Sequence, residues 1–319
     1  MVNRYFSLDI LRILACVGVI TIHTAGSFSH HSLVAVGSFD YVSCIIIGAL
    51  VRWSVPIFVM LTGFFFLKQD KQLSIKKLYG WNILHLVVSQ VFWTCFYALT
   101  LHWQWYPFGG QDSHFWYIGM CIGLYVSMPV LRMIASNAKI LSYSCWIWLF
   151  IRCYFFVGTF IDVPIEFTDF VFTDYVGYCL WGYYISTIQF KSWHKKLVYL
   201  LGIIGLIANI LIPIVSSISI SAYEAPTAIC TSIAVFLFAI DHPLQLAGGM
   251  AKFLTNLSKA TLGIYMVHMF VLIELFSRLY RYVQQPVLLT VLCVCAVFVI
   301  SSGIVWVLKK IPYVGKWVV

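Results

Sequence analysis

Long apolar runs follow one another along the whole chain, and only short polar stretches separate them. A transmembrane helix needs about 20 mostly apolar residues, so this pattern predicts an all-α, polytopic membrane protein with about ten transmembrane helices. The sixth run is short and rich in Gly and Tyr. The predicted spans lie near residues 8–26, 41–67, 78–101, 115–134, 139–160, 173–188, 197–217, 225–241, 260–278 and 286–308.

The composition agrees with lipid as the main solvent. Of the 319 residues, 62% are hydrophobic and only 10% are charged, whereas soluble domains carry roughly 25% charged residues. No polar stretch is long enough to fold separately. We therefore expect residues 1–319 to form a single transmembrane domain.

Basic residues indicate the orientation of the chain. With an even number of spans both termini share one side, and nearly all Lys and Arg residues between spans fall on that side. Only Arg278 and Arg281 fall on the other side. Positive loops stay in the cytoplasm, so we expect cytoplasmic termini. The net charge of +9 then reports orientation and does not predict nucleic-acid binding. The cysteines sit almost entirely within apolar runs without a CxxC pair, so we expect buried thiols and no metal site.

Two ionisable residues interrupt the first apolar run, Arg12 and His23. Eleven residues of helix make three turns plus about 20°, so both side chains share one face, roughly 16 Å apart along the axis. A charge at the bilayer centre costs about 2.5–3.5 kcal/mol and usually faces a polar cavity. Such a face suits a long ligand with an anionic head near Arg12 and a reactive end near His23, as in an acyl-coenzyme A. Alternatively, Arg12 reaches the interface or pairs with Asp9, and His23 is a packing residue.

Five stretches, in this order along the chain, resemble the membrane enzymes of acyltransferase family 3. The first helix of that family has an Arg, ten residues and a His, which Arg12 and His23 match. The subgroup that it resembles most is the one that O-acetylates enterobacterial common antigen and similar surface polysaccharides. The stretches are LDILRILACVGVITIH, RWSVPIFVMLTGFFFL, HFWYIGMCIGLYVSMPVLR, VGYCLWGYYIS and LSKATLGIYMVHMF, which begin at Leu8, Arg52, His114, Val176 and Leu257.

The resemblance implies a multi-pass acyltransferase of the bacterial inner membrane. Such enzymes move an acyl group, usually acetyl, from cytoplasmic acetyl-CoA to a hydroxyl of a carbohydrate, either lipid-linked or already polymerised. Some members carry a fused periplasmic SGNH esterase-like domain. Only about eleven residues follow the last predicted span here, so we expect no such domain. The expected partners are acetyl-CoA, a carbohydrate acceptor and membrane lipid, with no metal and no nucleic acid.

For such a transfer, the chemistry of the side chains suggests roles for individual residues. Histidine titrates near neutral pH, which suits His23 as a general base. Arg12 is predicted to belong to the same catalytic site and to bind phosphate or pantetheine oxygens of acetyl-CoA. Residues predicted to help bind acetyl-CoA are Arg52, Lys76, Lys77 and Arg132. Residues predicted to bind the acceptor are His114, Trp116, Tyr117, Tyr265 and His268.

Each of these roles has a plainer alternative. The positive-inside rule alone also explains the lysines and Arg132. Arg52 could instead form a structural ion pair. His114, Trp116 and Tyr117 fall near a predicted interface, where aromatic anchoring is common. Tyr265 and His268 lie mid-helix, where a hydrogen bond in the core is sufficient explanation.

A solute transporter is the alternative function. Many spans with buried arginines also describe transporters, which often show matching repeats with broken helices in both halves. The two halves of this sequence show no convincing internal similarity, which favours the enzyme.

Overall fold

The computed structural model describes residues 5–70, 72–101, 114–161, 175–216, 223–312 and 314–319. These residues form helices joined by short connections, and no strand occurs among them. The helices are α1 Phe6–His30, α2 Phe39–Leu50, α3 Ser54–Phe66, α4 Ile75–Lys77, α5 Leu84–Leu101, α6 Trp116–Ser136, α7 Ala138–Ile161, α8 Val176–Thr187, α9 Ser192–Val215, α10 Pro226–Asp241, α11 Gly248–Ser258, α12 Thr261–Tyr280, α13 Pro286–Leu308 and α14 Val314–Val318. A π-helical segment, Leu78–Ile83, joins α4 to α5.

The predicted all-α, polytopic membrane architecture is confirmed. Within the described ranges, eight helical segments are long and apolar enough to cross a membrane. The other two predicted spans correspond to α8 and α10, which have 12 and 16 residues. At 1.5 Å per residue they are about 18 and 24 Å long, shorter than a hydrocarbon core of about 30 Å. Most of α8 is buried among the longer helices.

The second predicted span, 41–67, consists of two helices, because the chain breaks between α2 and α3. Phe39–Phe66 as a whole is still long and apolar enough to cross a membrane. Pro56 has no N–H to donate to the carbonyl of Arg52, and its ring clashes with that carbonyl in a continuous helix. The backbone closes the break with a shorter-range bond from Ser54 N–H to the Val51 carbonyl, 3.0 Å long. Non-helical backbone at membrane depth is tolerated where it is buried in protein or lines a cavity. The break places Arg52 in such a position.

Glycines allow α3 and α8 to cross with their backbones in contact. A Cβ at Gly63 would overlap the carbonyl of Cys179, and a Cβ at Gly182 would overlap the carbonyl of Met60. Small residues are a common means of close helix packing in lipid, where dispersion replaces the hydrophobic effect between helices. This crossing holds the short helix α8 in the bundle.

Helix α1 occupies the middle of the bundle. It packs against α2, α3, α10, α11, α12 and α13. The helix that carries both Arg12 and His23 is therefore enclosed by protein.

The two ends of the bundle differ in charge. One end, called the basic end below, contains the start of α1 and the ends of α3 and α13. Lysines at the basic end include Lys68, Lys139, Lys195, Lys259 and Lys309. The opposite end contains the end of α1 and the starts of α2, α6 and α10.

We predict that Gly182→Ala strongly destabilises the folded protein, because the added methyl group meets the Met60 backbone, which cannot rotate away. Overpacking of this kind costs about 1–3 kcal/mol. Size-exclusion chromatography after a temperature ramp in detergent measures the loss. The matched control is Gly123→Ala on α6, where a Cβ meets nothing within 4 Å. Equal thermal stability of the two variants would contradict the close crossing.

Candidate active site

Three histidines from three parts of the chain meet inside the bundle. His23 lies on α1, His268 on α12 and His114 just before α6. The ring centroids of His23 and His268 are 5.3 Å apart, those of His114 and His268 are 5.3 Å apart, and those of His23 and His114 are 6.5 Å apart. His114 and His268 are buried, whereas His23 stays partly accessible. We call this group the histidine cluster.

The orientation of His268 is fixed by its own helix. Its Nδ1 lies 2.5 Å from the carbonyl of Tyr265, which requires a proton on Nδ1. The neutral ring then presents Nε2 as an acceptor, and this buried atom has no hydrogen-bond partner among the described residues.

Tyr97 of α5 holds the turn of α12 that carries His268. Its hydroxyl donates to the Met266 carbonyl at 2.9 Å and accepts from the Phe270 N–H at 2.8 Å. The tyrosine thus stands between two backbone groups that would otherwise bond each other along the helix. Its ring also lies 5.4 Å from that of His114, so one side chain supports two members of the cluster.

Tyr265 joins the histidine cluster to a cavity. Its hydroxyl donates to the carbonyl of His114, and its ring lies 5.4 Å from that of His268. On the other side its ring lies 5.2 Å from that of Tyr117. Both tyrosines line the cavity.

The cavity, called the Arg12 cavity, has a volume of about 280 Å³. It extends from Arg12, Ser258 and Lys259 near the basic end to Tyr117 and Tyr265 deeper in the bundle. Ser258 also donates to Asp9 at 2.7 Å, which fixes the end of α11 against the start of α1. The Arg12 guanidinium lies 5.5 Å from the centre of the Phe65 ring.

Positive charge is concentrated at the mouth of the Arg12 cavity. Lys259 is exposed there, and Lys309, which follows α13, donates to the Lys259 carbonyl at 3.4 Å. Burial, followed by the charge of Lys259, lowers the pKa of Lys309. The mouth is therefore suited to an anionic ligand.

A larger cavity of about 680 Å³ lies between α1, α2 and α9 and contains Arg52. We call it the Arg52 cavity. The Arg52 guanidinium lies 5.5 Å from the centre of the Tyr223 ring, which in turn stacks on Trp116 at 6.0 Å. Two contacts fix the position of Tyr223. The adjacent residue Glu224 pairs with Arg152 at 2.7 Å, and the Tyr223 carbonyl accepts a hydrogen bond from the Tyr178 hydroxyl at 2.5 Å.

The structure brings together some of the residues predicted from sequence and separates others. Arg12, Tyr117 and Tyr265 line one cavity, and His23, His114 and His268 form the cluster beside it. Arg52 lies in the other cavity. His23 itself is absent from the described lining of the Arg12 cavity, which ends at Tyr265.

Three predicted ligands of acetyl-CoA are not among the described residues that line the Arg12 cavity. Lys76 and Lys77 are exposed on α4. Arg132 donates to the carbonyls of Phe66 and Lys68 at 2.5 and 2.7 Å, where α3 ends. In this position Arg132 satisfies backbone acceptors at the end of a helix.

Interface anchoring does not describe His114 and Tyr117, since the structure buries both. They are buried because α6 turns its first residues toward α12, where Tyr265 contacts each of them. Trp116, next to them in sequence, points instead to Tyr175 and Tyr223, 5.5 and 6.0 Å away.

Sequence reasoning missed Lys259, Tyr97 and Asn209, the last of which lines the Arg52 cavity. Lys259 lies within the stretch LSKATLGIYMVHMF, which the sequence analysis singled out. The sequence does not show that Lys259 lies at the mouth of a cavity. Tyr97 and Asn209 stand alone in apolar helices and give no spacing signal. Within the part of the chain that the structure describes, no group of three or more His, Cys, Asp or Glu side chains is arranged to hold a metal ion.

Comparison with known proteins gives one family match. A family model described as an acyltransferase domain matches residues 5–307, which include both cavities and the histidine cluster. No curated protein and no solved structure matches the chain. Since the matched segment covers nearly all of the 319 residues, this multi-pass membrane protein belongs to the acyltransferase domain family.

Proposed function

We propose that the protein transfers an acetyl group from acetyl-CoA to a hydroxyl of a cell-surface carbohydrate or its lipid-linked precursor. The observation that carries this proposal is the path from the basic end to the histidine cluster. The path runs from Lys259 and Arg12 through the Arg12 cavity to Tyr265, which touches His114 and His268. It matches a donor with phosphates at one end and a thioester at the other.

The donor would enter from the basic end, which the positive-inside rule places in the cytoplasm. Lys259 would attract the nucleotide phosphates, and the Arg12 guanidinium would bind phosphate or pantetheine oxygens through several donors. Ligand pockets usually measure roughly 300–1,000 Å³, so a cavity of about 280 Å³ suits the narrow pantetheine arm. The nucleotide would stay at the mouth.

The chemistry requires a base for the acceptor hydroxyl. Neutral His23 would take the hydroxyl proton as the oxygen attacks the thioester carbonyl. The tetrahedral intermediate would then collapse by cleavage of the carbon–sulfur bond. The proton would pass from His23 to the departing thiolate, which leaves a carbohydrate ester and free coenzyme A.

His268 would position His23 for this step. Because the Nδ1–H of His268 donates to the Tyr265 carbonyl, Nε2 of His268 can accept a hydrogen bond from a ring N–H of His23. This bond would determine which nitrogen of His23 is free to act as the base. Support for this role comes from the partnerless, buried Nε2 and from the 5.3 Å ring separation. Orientation of a histidine through its second nitrogen is a common arrangement.

The acceptor and the location follow from the resemblance in sequence. The subgroup that modifies enterobacterial common antigen and similar polysaccharides works at the bacterial inner membrane, and we propose the same setting here. Both termini would be cytoplasmic, with the acceptor carbohydrate on the opposite side of the membrane.

We predict that His23→Ala lowers acetyl-CoA turnover by about 10²–10⁴-fold, the usual contribution of a general base. Arg12→Ala is expected to lower turnover mainly through weaker donor binding. The measurement is release of free coenzyme A thiol by purified protein in detergent, with acetyl-CoA as substrate. The matched control is His30→Ala, an exposed histidine at the far end of the same helix.

Normal turnover by His23→Ala would refute the assignment of the base. Absence of turnover by the wild type, together with no thermal stabilisation by acetyl-CoA, would favour the solute transporter instead.

We also predict that Lys259→Ala raises the KM for acetyl-CoA by about two- to fivefold and leaves kcat unchanged. An exposed charge contributes about 0.2–1 kcal/mol, and salt screens it, so the effect should shrink as ionic strength rises. Steady-state kinetics at low and high salt measure both features. The control is Lys252→Ala, an exposed lysine of α11 that is not among the residues lining the cavity. Equal increases in KM for the two variants would argue against a donor entrance at Lys259.

A further inference from the structure

The Arg52 cavity opens toward the opposite end of the bundle from the Arg12 cavity. Ser29 at the end of α1 and Val36 in the following loop lie at its rim, and Arg52 at the break between α2 and α3 lies at its deep end. No lining residue is shared by the two cavities. A second ligand could therefore approach the bundle independently of the donor.

A buried amide faces this cavity with an unused donor. Asn209 of α9 is only 5% exposed, and its Oδ1 accepts from the Thr227 hydroxyl at 2.6 Å. The bond from Thr227 leaves Nδ2 as the donor, and Nδ2 has no hydrogen-bond partner among the described residues. A buried polar group left without a partner costs about 1–3 kcal/mol. Such a cost is recovered when a ligand supplies the acceptor.

The charges of the lining favour an anion. Arg52 and Asn209 both supply donors, and none of the described lining residues is acidic. A neutral sugar, in contrast, needs acceptors for its hydroxyl protons as well as donors for its oxygens. A phosphate offers acceptor oxygens only, which matches this set.

The walls between these donors are apolar. Ile45 of α2 and Pro213 and Ile214 of α9 belong to them, and Ile214 is 39% exposed on the surface of the bundle. That surface would face lipid in a membrane. A hydrocarbon chain can therefore lie against this wall while a polar group reaches the donors.

We propose that the Arg52 cavity binds the phosphate group of a lipid-linked acceptor, with Arg52 and Asn209 donating to its oxygens and the lipid chain along the α2–α9 wall. This inference rests on the proposed acyl transfer and specifies its acceptor class. The cavity lies beside the proposed base, because Gly26, one turn from His23 on α1, is part of its lining. Arg52 is thereby assigned to the acceptor rather than to acetyl-CoA.

Gly26 provides a way to fill the cavity without disturbing the bundle. A Cβ at this position meets nothing within 4 Å, so Gly26→Leu should project into the empty volume and exclude a ligand. Gly123→Leu on α6 is the matched control, because Gly123 is also exposed, likewise has nothing within 4 Å of an added Cβ and does not line the cavity.

The experiment measures thermal unfolding of the purified 319-residue chain in detergent with three probes at equal concentration. The probes are farnesyl phosphate, farnesol and inorganic phosphate. We expect farnesyl phosphate to raise the Tm of the wild type saturably, by about 3 °C, and the other two probes to leave it unchanged. Gly26→Leu, Arg52→Gln and Asn209→Leu should lose the shift, and Gly123→Leu should keep it.

Several outcomes would overturn the proposal. An equal shift with farnesol would indicate a purely apolar site, and an equal shift with inorganic phosphate would indicate a site for free phosphate. An undiminished Tm shift in Gly26→Leu would show that the ligand binds outside the Arg52 cavity. If Arg52→Gln does not fold, the Gly26→Leu variant alone tests whether the ligand binds in this cavity. No acetyl-CoA is present, so failure here is distinguishable from failure of the proposed transfer, which is measured by thiol release.

Discussion

In lipid, every polar group of the bundle must be satisfied by protein or by a cavity, because the solvent offers no hydrogen bonds. Most of the architecture around α1 follows from this requirement. The Tyr97 hydroxyl bonds to the backbone of α12, Arg152 pairs with Glu224, and Arg132 donates to backbone carbonyls at the end of α3. Arg12 and Arg52 each line a cavity, and His23 belongs to the histidine cluster beside the Arg12 cavity.

The order and approximate limits of the helices could be predicted from sequence because apolar runs of spanning length leave little choice of structure. The pairing of Arg12 with His23 on one helix was predictable for a similar reason, since helical geometry depends only on spacing. The break at Arg52 had a visible cause in Pro56, yet an apolar run of 27 residues reads equally well as one tilted helix.

The site itself required the fold. His114 and His268 are far apart in sequence, and nothing in either stretch indicates that they meet His23. The separation of Arg12 and Arg52 into different cavities was equally hidden, because both are arginines in apolar runs of the sequence. Spacing reports which residues share a helix face, whereas the neighbours of that face depend on how the glycine-mediated crossings place the other helices.

The tight packing between the two cavities has a consequence for the membrane as an electrical barrier. Tyr265 and His268 are buried where the Arg12 cavity meets the histidine cluster. If the Arg12 cavity and the Arg52 cavity were connected, protons and ions could cross the bundle. Such a leak would dissipate the transmembrane potential. In the proposed reaction, only the acyl group would need to pass this aromatic layer.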